Sequence, residues 1–235
     1  MFKTKDAWTI TRNTLGYNVI FIVVGTVLAI AVAILLNEIR STMGKKIYQT
    51  LILVPFLISI VVVSYLVYGF LSTDAGFINN SILKPMGKQG IGWYSDPKYW
   101  PFILIFVNVW KNLGYNCIIY YATVVGLDAS LYESASIDGA NRWQQFWHIT
   151  LPQLRPTTFF VVIMLTISGF KVYDQMYMIT QGGPGTATMT LVYYIYNVAF
   201  VNTPKYGYAS AISMVLFVLV LIVTIIQFRG SKGEN

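Results

Sequence analysis

Five long apolar stretches, at 17–36, 47–71, 99–123, 156–180 and 206–228, restrict the folds open to this 235-residue chain more than any other feature. The first carries no charge and matches the roughly 20 residues a helix needs to cross about 30 Å of hydrocarbon. Its apolar residues run in blocks rather than in period-two alternation, so the spans are expected to be helices and not strands of an outer-membrane barrel. Composition agrees: 56% hydrophobic and 11% charged residues, with a mean hydropathy of +0.60, lie outside the range of soluble domains. The expected fold is an all-α integral membrane protein, a polytopic bundle of five spans forming a single transmembrane domain over 1–235.

The blocks differ in character. The Ala-Ile-Ala-Val-Ala run at 29–33 has the small-x-small look of a signal cleavage site, but the surrounding apolar stretch is longer than a secretory h-region and reads as a span. Pro55 inside the second block predicts a kink. The third block is interrupted by Asn108, Lys111, Asn112 and Asn116, and the fourth contains Lys171 and Asp174. Polar groups at membrane depth face a bundle interior or a cavity, so these spans are more than anchors. The lone Cys117 excludes an intrachain disulfide and a cysteine-built metal site, and His148 also stands alone. A net charge of +7 suits loops carrying Lys and Arg and is not read as nucleic-acid binding. Placing the C-terminus inside puts seven basic residues on each side, so the positive-inside rule does not decide orientation.

Between the third and fourth blocks lies the least lipid-like stretch, 133–156. Ser130 and Glu133 have the spacing of a capping box, which predicts a short helix, and Gly139 supplies a turn. Trp143, Phe146, Trp147 and Thr150 then recur at helical spacing and form one largely aromatic face, with Pro152 and Pro156 ending the run. Such a helix pair either lies on the membrane surface with its tryptophans at headgroup depth or enters a groove on a partner protein.

Glu133, Ser134, Ala135, Asp138-Gly139-Ala140, Trp143, Phe146 and Ile149-Thr-Leu-Pro152, closed by Pro156, resemble the EAA loop of permease subunits of bacterial ABC importers. Ser134 stands where that signature usually has alanine, and Asp128 where many relatives carry proline. The sequence Ile179-Thr-Gln-Gly-Gly-Pro-Gly-Thr-Ala-Thr188 resembles the Gly-Gly-Pro signature of the maltose-type, carbohydrate-importing permeases; read physically it is a strong turn. With Trp110-Lys-Asn-Leu-Gly114 and Tyr206-Gly-Tyr-Ala-Ser210, the resemblance runs from about residue 13 to 228.

The resemblance implies a type I ABC importer permease core in the bacterial cytoplasmic membrane, with a cytoplasmic coupling loop at 128–156. It implies a second, related permease, two ATPase subunits carrying ATP and Mg, an extracytoplasmic sugar-binding protein, and lipid around the spans. The ATPase-docking residues it implies are Glu133, Ser134, Ala135, Asp138, Gly139, Ala140, Trp143 and Phe146. No Gly-x-x-x-x-Gly-Lys-Ser/Thr pattern occurs, so ATP hydrolysis is expected elsewhere, with no cofactor in this chain and no catalytic or metal residue. Members of this type usually carry an extra N-terminal span, which the polar segment 2–12 here would replace if it is not simply missing.

Within the membrane, Asn108, Asn112 and Asn116 lie along one helix face flanked by Lys111 and Tyr115. They read either as glue between spans or as part of a sugar pathway. Lys171 and Asp174, spaced i, i+3, are expected to pair. Tyr173 and Tyr177 then join Asn108, Asn112, Tyr115 and Asn116 as candidate substrate contacts. The competing reading is an ion-coupled secondary transporter using Lys171 and Asp174.

Overall fold

The computed structural model describes residues 5–201 and 203–232. The first helix, α1 (Lys5–Glu38), runs well beyond the apolar block at its core, and the polar segment forms its first turns from Lys5 onward, residues 2–4 lying outside the described residues. There follow α2 (Thr42–Leu57), α3 (Ile60–Leu71), a wide-turned π segment (Ile78–Leu83) and α4 (Trp100–Val125). A hairpin is next, built from α5 (Ala129–Ile137), α6 (Arg142–Gln145), a second π segment (Phe146–Thr150) and α7 (Leu151–Gln153). The chain then forms α8 (Arg155–Phe170), α9 (Asp174–Thr180), α10 (Leu191–Tyr196), a third π segment (Asn197–Val201) and α11 (Tyr206–Lys232). Among the described residues three helices are long and apolar enough to cross a membrane, or five spans if each of two sharply bent pairs counts as one.

Two of the expected continuous spans are broken. The 47–71 block is not one kinked helix, because α2 and α3 meet at 91° across Ile58 and Ser59. Pro55 removes a donor from the last turn of α2, Ile58 turns extended, and the Ser59 hydroxyl accepts the Val61 amide to start α3. The 156–180 block is divided at Lys171–Tyr173 into α8 and α9. There the freed Val172 carbonyl accepts the Thr190 hydroxyl at 3.0 Å, so the unwound backbone keeps a partner inside the bundle. Pro152 does not end the hairpin's second arm either: it sits in the first turn of α7, and the chain bends by 61° at the buried Leu154 before α8.

The core divides along α1 and α4. Toward one end Tyr17 and Phe21 pack with Val63, Trp100, Leu104, Met176, Ile179 and Tyr193; toward the hairpin end Ala29 and Ala33 pack with Cys117, Tyr120, Leu154 and Val161. Small residues let backbones approach, most closely where α2 crosses α4. A Cβ on Gly114 would lie 1.9 Å from the Ile52 carbonyl oxygen, so only glycine fits.

Candidate functional site

A polar cavity of about 220 Å³ lies where both breaks meet α4. Its wall includes Asn108, Lys111 and Asn112 from α4, Ile60 from α3, and Lys171, Asp174 and Gln175 from the second break. The chemistry there is backbone-directed. The Lys111 ammonium donates to the carbonyls of Pro55 and Phe56, at 3.3 and 3.1 Å, and to that of Ile58 at 2.5 Å. These carbonyls lie at the negative end of α2, where that of Pro55 also accepts the Ile58 amide, so a cation there meets both their hydrogen-bonding need and the helix dipole. The Asn108 amide donates to Gln175 Oε1 at 2.8 Å, and Gln175 Nε2 donates in turn to the Leu104 carbonyl at 3.0 Å. Asn112 donates to the Asn108 carbonyl.

Lys171 and Asp174 do not pair. Among the described residues the ion pairs are Lys98 with Asp96 and Arg142 with Glu38, and Asp174 Oδ1 instead accepts the Gln175 amide at 2.8 Å. The reason is the break: the i, i+3 proximity assumed for the pair requires a continuous helix, and the backbone is unwound between them. Of the six candidate substrate contacts, Asn108 and Asn112 line the cavity. Tyr115 instead stacks on Phe56, with ring centroids 4.8 Å apart, and Asn116 is buried in α4. Tyr173 and Tyr177 stack on each other at 5.6 Å and pack with Tyr193 and Tyr196, beside the cavity rather than in its wall.

At the other end of α4 the hairpin projects from the bundle. Its first arm starts differently from the expected Ser130–Glu133 capping box: Asp128, in extended conformation, is the N-cap and accepts the Ser130 amide at 2.9 Å. A carboxylate at the positive end of a helix outcompetes a serine hydroxyl there, and the Ser130 amide holds the Asp128 carboxyl below the usual carboxylate range. Gly139 turns the chain at φ +82, a conformation a side chain would strain. The capping box belongs to the second arm, where Asn141 Oδ1 accepts the Gln144 amide and Gln144 Oε1 accepts the Asn141 amide. The arms are tied by Gln145 Nε2 donating to Ser136 Oγ and by the Tyr132 and Thr150 hydroxyls, each contact 2.9 Å.

Glu133, Ser134, Asp138 and Gly139 are exposed, whereas Ala135, Ala140 and Phe146 are half-buried between the arms. Trp143 and Trp147 form an aromatic cluster with Phe146 and remain 68% and 49% exposed, and Ile137 is 86% exposed. A cleft of about 330 Å³ opens between the arms beside Ala135, Asp138, Gly139 and Ala140. Arg142 reaches Glu38 at the end of α1 at 2.6 Å, connecting the hairpin to the first span.

Residues 9–230 match the family described as the binding-protein-dependent transport system inner membrane component. The chain belongs to this family. The permease is 34% identical over 233 residues to the lactose transport system permease protein LacF of Rhizobium radiobacter, covering 97% of this chain and 77% of that one. It is 29% identical over 232 residues to the trehalose/maltose transport system permease protein MalF of Thermococcus litoralis, covering 99% and 77%. Its fold is similar to a chain in the crystal structure of a bacterial alginate ABC transporter in complex with an alginate pentasaccharide-bound periplasmic protein, with a TM-score of 0.86 and 29% identity over 96% of this chain and 78% of that one. The permease is therefore a transport subunit of the bacterial inner membrane.

Several polar residues that organise the permease escape a reading of its sequence. Gln175 is the most important, since it joins α9 to both Asn108 and Leu104. On α1, Asn18 donates to the Thr166 carbonyl at 3.1 Å, Thr14 accepts the Leu191 amide at 2.9 Å, and Asn13 donates to the Ala187 carbonyl at 2.8 Å. Asn13, Thr14 and Asn18 span little more than a turn of one helix; that spacing is their only sequence signal. Among the described residues no group of three or more His, Cys, Asp or Glu is placed to hold a metal ion.

Proposed function

We propose that this permease is one of two membrane halves of an ATP-driven importer that moves a sugar or oligosaccharide across the bacterial inner membrane by alternating access. The observation that carries the reading is the hairpin at 128–156: an acidic and aromatic surface, braced from within, projects from the bundle with Glu133, Ile137, Trp143 and Trp147 uncovered. Such a surface suits insertion into a groove on a partner, here a separate ATPase. ATP and Mg would be held by that subunit. The names of the relatives support a saccharide substrate, and the alginate complex supports a periplasmic binding protein as delivery partner. On this reading the hairpin faces the cytoplasm and the Gly182–Gly185 turn faces outward.

The cavity between the breaks is the best candidate for the translocation site, with the side-chain carbonyls of Asn108 and Asn112 in its wall to meet sugar hydroxyls and the buried Gln175 holding Asn108 in place. Closure of the ATPase pair would displace the hairpins, and the Arg142–Glu38 contact would carry that displacement to α1.

The test is purification from native membranes in mild detergent with identification of stoichiometric partners. The expected result is a second related permease and a P-loop ATPase, and a Glu133→Ala chain that retains the permease partner while losing ATPase. A chain isolated alone, with no ATPase in any detergent, overturns the reading and leaves the ion-coupled transporter.

A further inference from the structure

A second polar cavity, of about 310 Å³, lies at the opposite end of the bundle from the hairpin, between the end of α3, the 72–98 connection and the glycine-rich turn after α9. Its wall includes Tyr68, Asp74, Tyr94, Thr180 and Gln181. Three observations distinguish it from an ordinary surface dent.

The first is an orphan. The Tyr94 hydroxyl oxygen is shielded from solvent and has no hydrogen-bond partner, although its ring is held edge-on by Trp100 and Tyr68, with centroids 5.0 and 5.8 Å away. A buried hydroxyl left unmade is costly, so the site calls for a further polar group. The second is strain. Gln181 is the one non-glycine residue at positive φ among the described residues, at φ 53 and ψ 35, in a turn where its neighbours Gly182 and Gly185 take such angles freely. A glycine at 181 would serve the turn better; the side chain is kept at a conformational cost, and it lines the cavity. The third is chemistry held in reserve. Asp74 is the only charged residue in this wall, and neither its carboxylate nor the Gln181 side-chain amide makes a hydrogen bond or ion pair among the described residues.

A phenol, a carboxylate and an amide beside an aromatic ring are the groups that bind a sugar, whose hydroxyls both donate and accept and whose ring faces are apolar. With a single negative charge in the wall, an uncharged saccharide fits better than an acidic one. The central cavity and this one sit at opposite ends of α9, seven residues and so about 10 Å apart along its axis. Between them Met176 and Ile179 are fully buried in the core.

We propose that Tyr68, Asp74, Tyr94 and Gln181 form an outer saccharide subsite, which takes an uncharged sugar unit before α9 moves to admit it to the central cavity. The inference rests on the importer reading above. It is tested on the whole transporter, purified with its partner subunits and reconstituted in proteoliposomes, by uptake of radiolabelled lactose, maltose, trehalose and an alginate pentasaccharide. For whichever neutral sugar is taken up, Tyr94→Phe and Gln181→Gly are expected to raise the apparent KM about fivefold each, the effect of one lost hydrogen bond, with the maximal rate held. Gln181→Gly should also raise the melting temperature, since it relieves the left-handed backbone, and that opposition of stability and affinity is not produced by a merely structural glutamine. Unchanged KM in both variants, uptake of the acidic pentasaccharide alone, or a KM increase accompanied by a lower melting temperature in Gln181→Gly overturns the subsite while leaving the importer standing. A purified chain that brings no partner permease and no ATPase overturns the importer reading, and the subsite with it.

Discussion

At the scale of single residues, the interior of this permease depends on polar side chains that each meet one backbone or amide partner. Gln175 is 4% exposed and is satisfied at Oε1 by Asn108 alone. Asn108→Ala leaves that oxygen without a donor, and the expected loss is about 1–2 kcal/mol, read from thermal unfolding in detergent. Asn108→Asp, which places a second acceptor opposite Gln175 Oε1, should be worse. Outside the membrane, Asp128 gives a pH dependence whose sign is fixed. Its carboxyl is held below the usual range by the Ser130 amide, so its stabilisation of α5 is fully present above the ordinary carboxylate pKa and is lost as pH falls through the lowered value. Hydrogen exchange at the first amides of α5 should accelerate across that acidic window in the native chain and show no such step in Asp128→Asn.

At the scale of elements, the breaks and crossings decide what can move. Gly114→Ala would drive a methyl into the Ile52 carbonyl, so α2 and α4 must separate, at an expected cost of about 3 kcal/mol, the upper end for overpacking. A lowered melting temperature, with weaker cross-linking between cysteines placed at 56 and 115 as α2 and α4 part, checks it. Lys111→Met tests the first break, since it removes the donor shared by three carbonyls and is expected to cost about 2 kcal/mol while leaving α4 helical. The apolar helices and the hairpin were legible in the sequence, because long apolar runs, proline and the Gly139 turn act locally; α10 and the π segments at 78–83 and 197–201, which lie outside the apolar blocks, were not. Nor were the two breaks. Pro55 signalled a kink, but the 91° angle depends on Lys111, more than 50 residues away, and the unwinding at 171–173 depends on the Thr190 hydroxyl, which donates to the Val172 carbonyl. The start of α5 was misread for a smaller reason: serine and aspartate both cap helices, and backbone geometry at 128 chose between them.

At the scale of the whole molecule, the hairpin's sequence was legible as a unit because its residues are close together, whereas the central cavity assembles five helices, of which only the α4 face and the charges at 171 and 174 stood out in the sequence. Gln175 and the α1 asparagines were invisible for that reason. One sequence oddity becomes a tool: Cys117 is the sole cysteine and is fully buried among Ala29, Tyr120 and Leu154. A maleimide dye should therefore leave the folded permease unlabelled and react only as the bundle opens on heating. Labelling at temperatures below the loss of helical signal would show that the α1–α4 packing yields first. The bend at Ile58 carries a further consequence. Its acceptors are main-chain carbonyls, which every amino acid supplies, so the Lys111 contact itself asks nothing of the side chains at 56–58, and Phe56 is held instead by its stack on Tyr115. The side of the contact that cannot drift is the lone ammonium on the facing helix. A scan of substitutions should therefore find tolerance where the chain turns and intolerance where it runs straight.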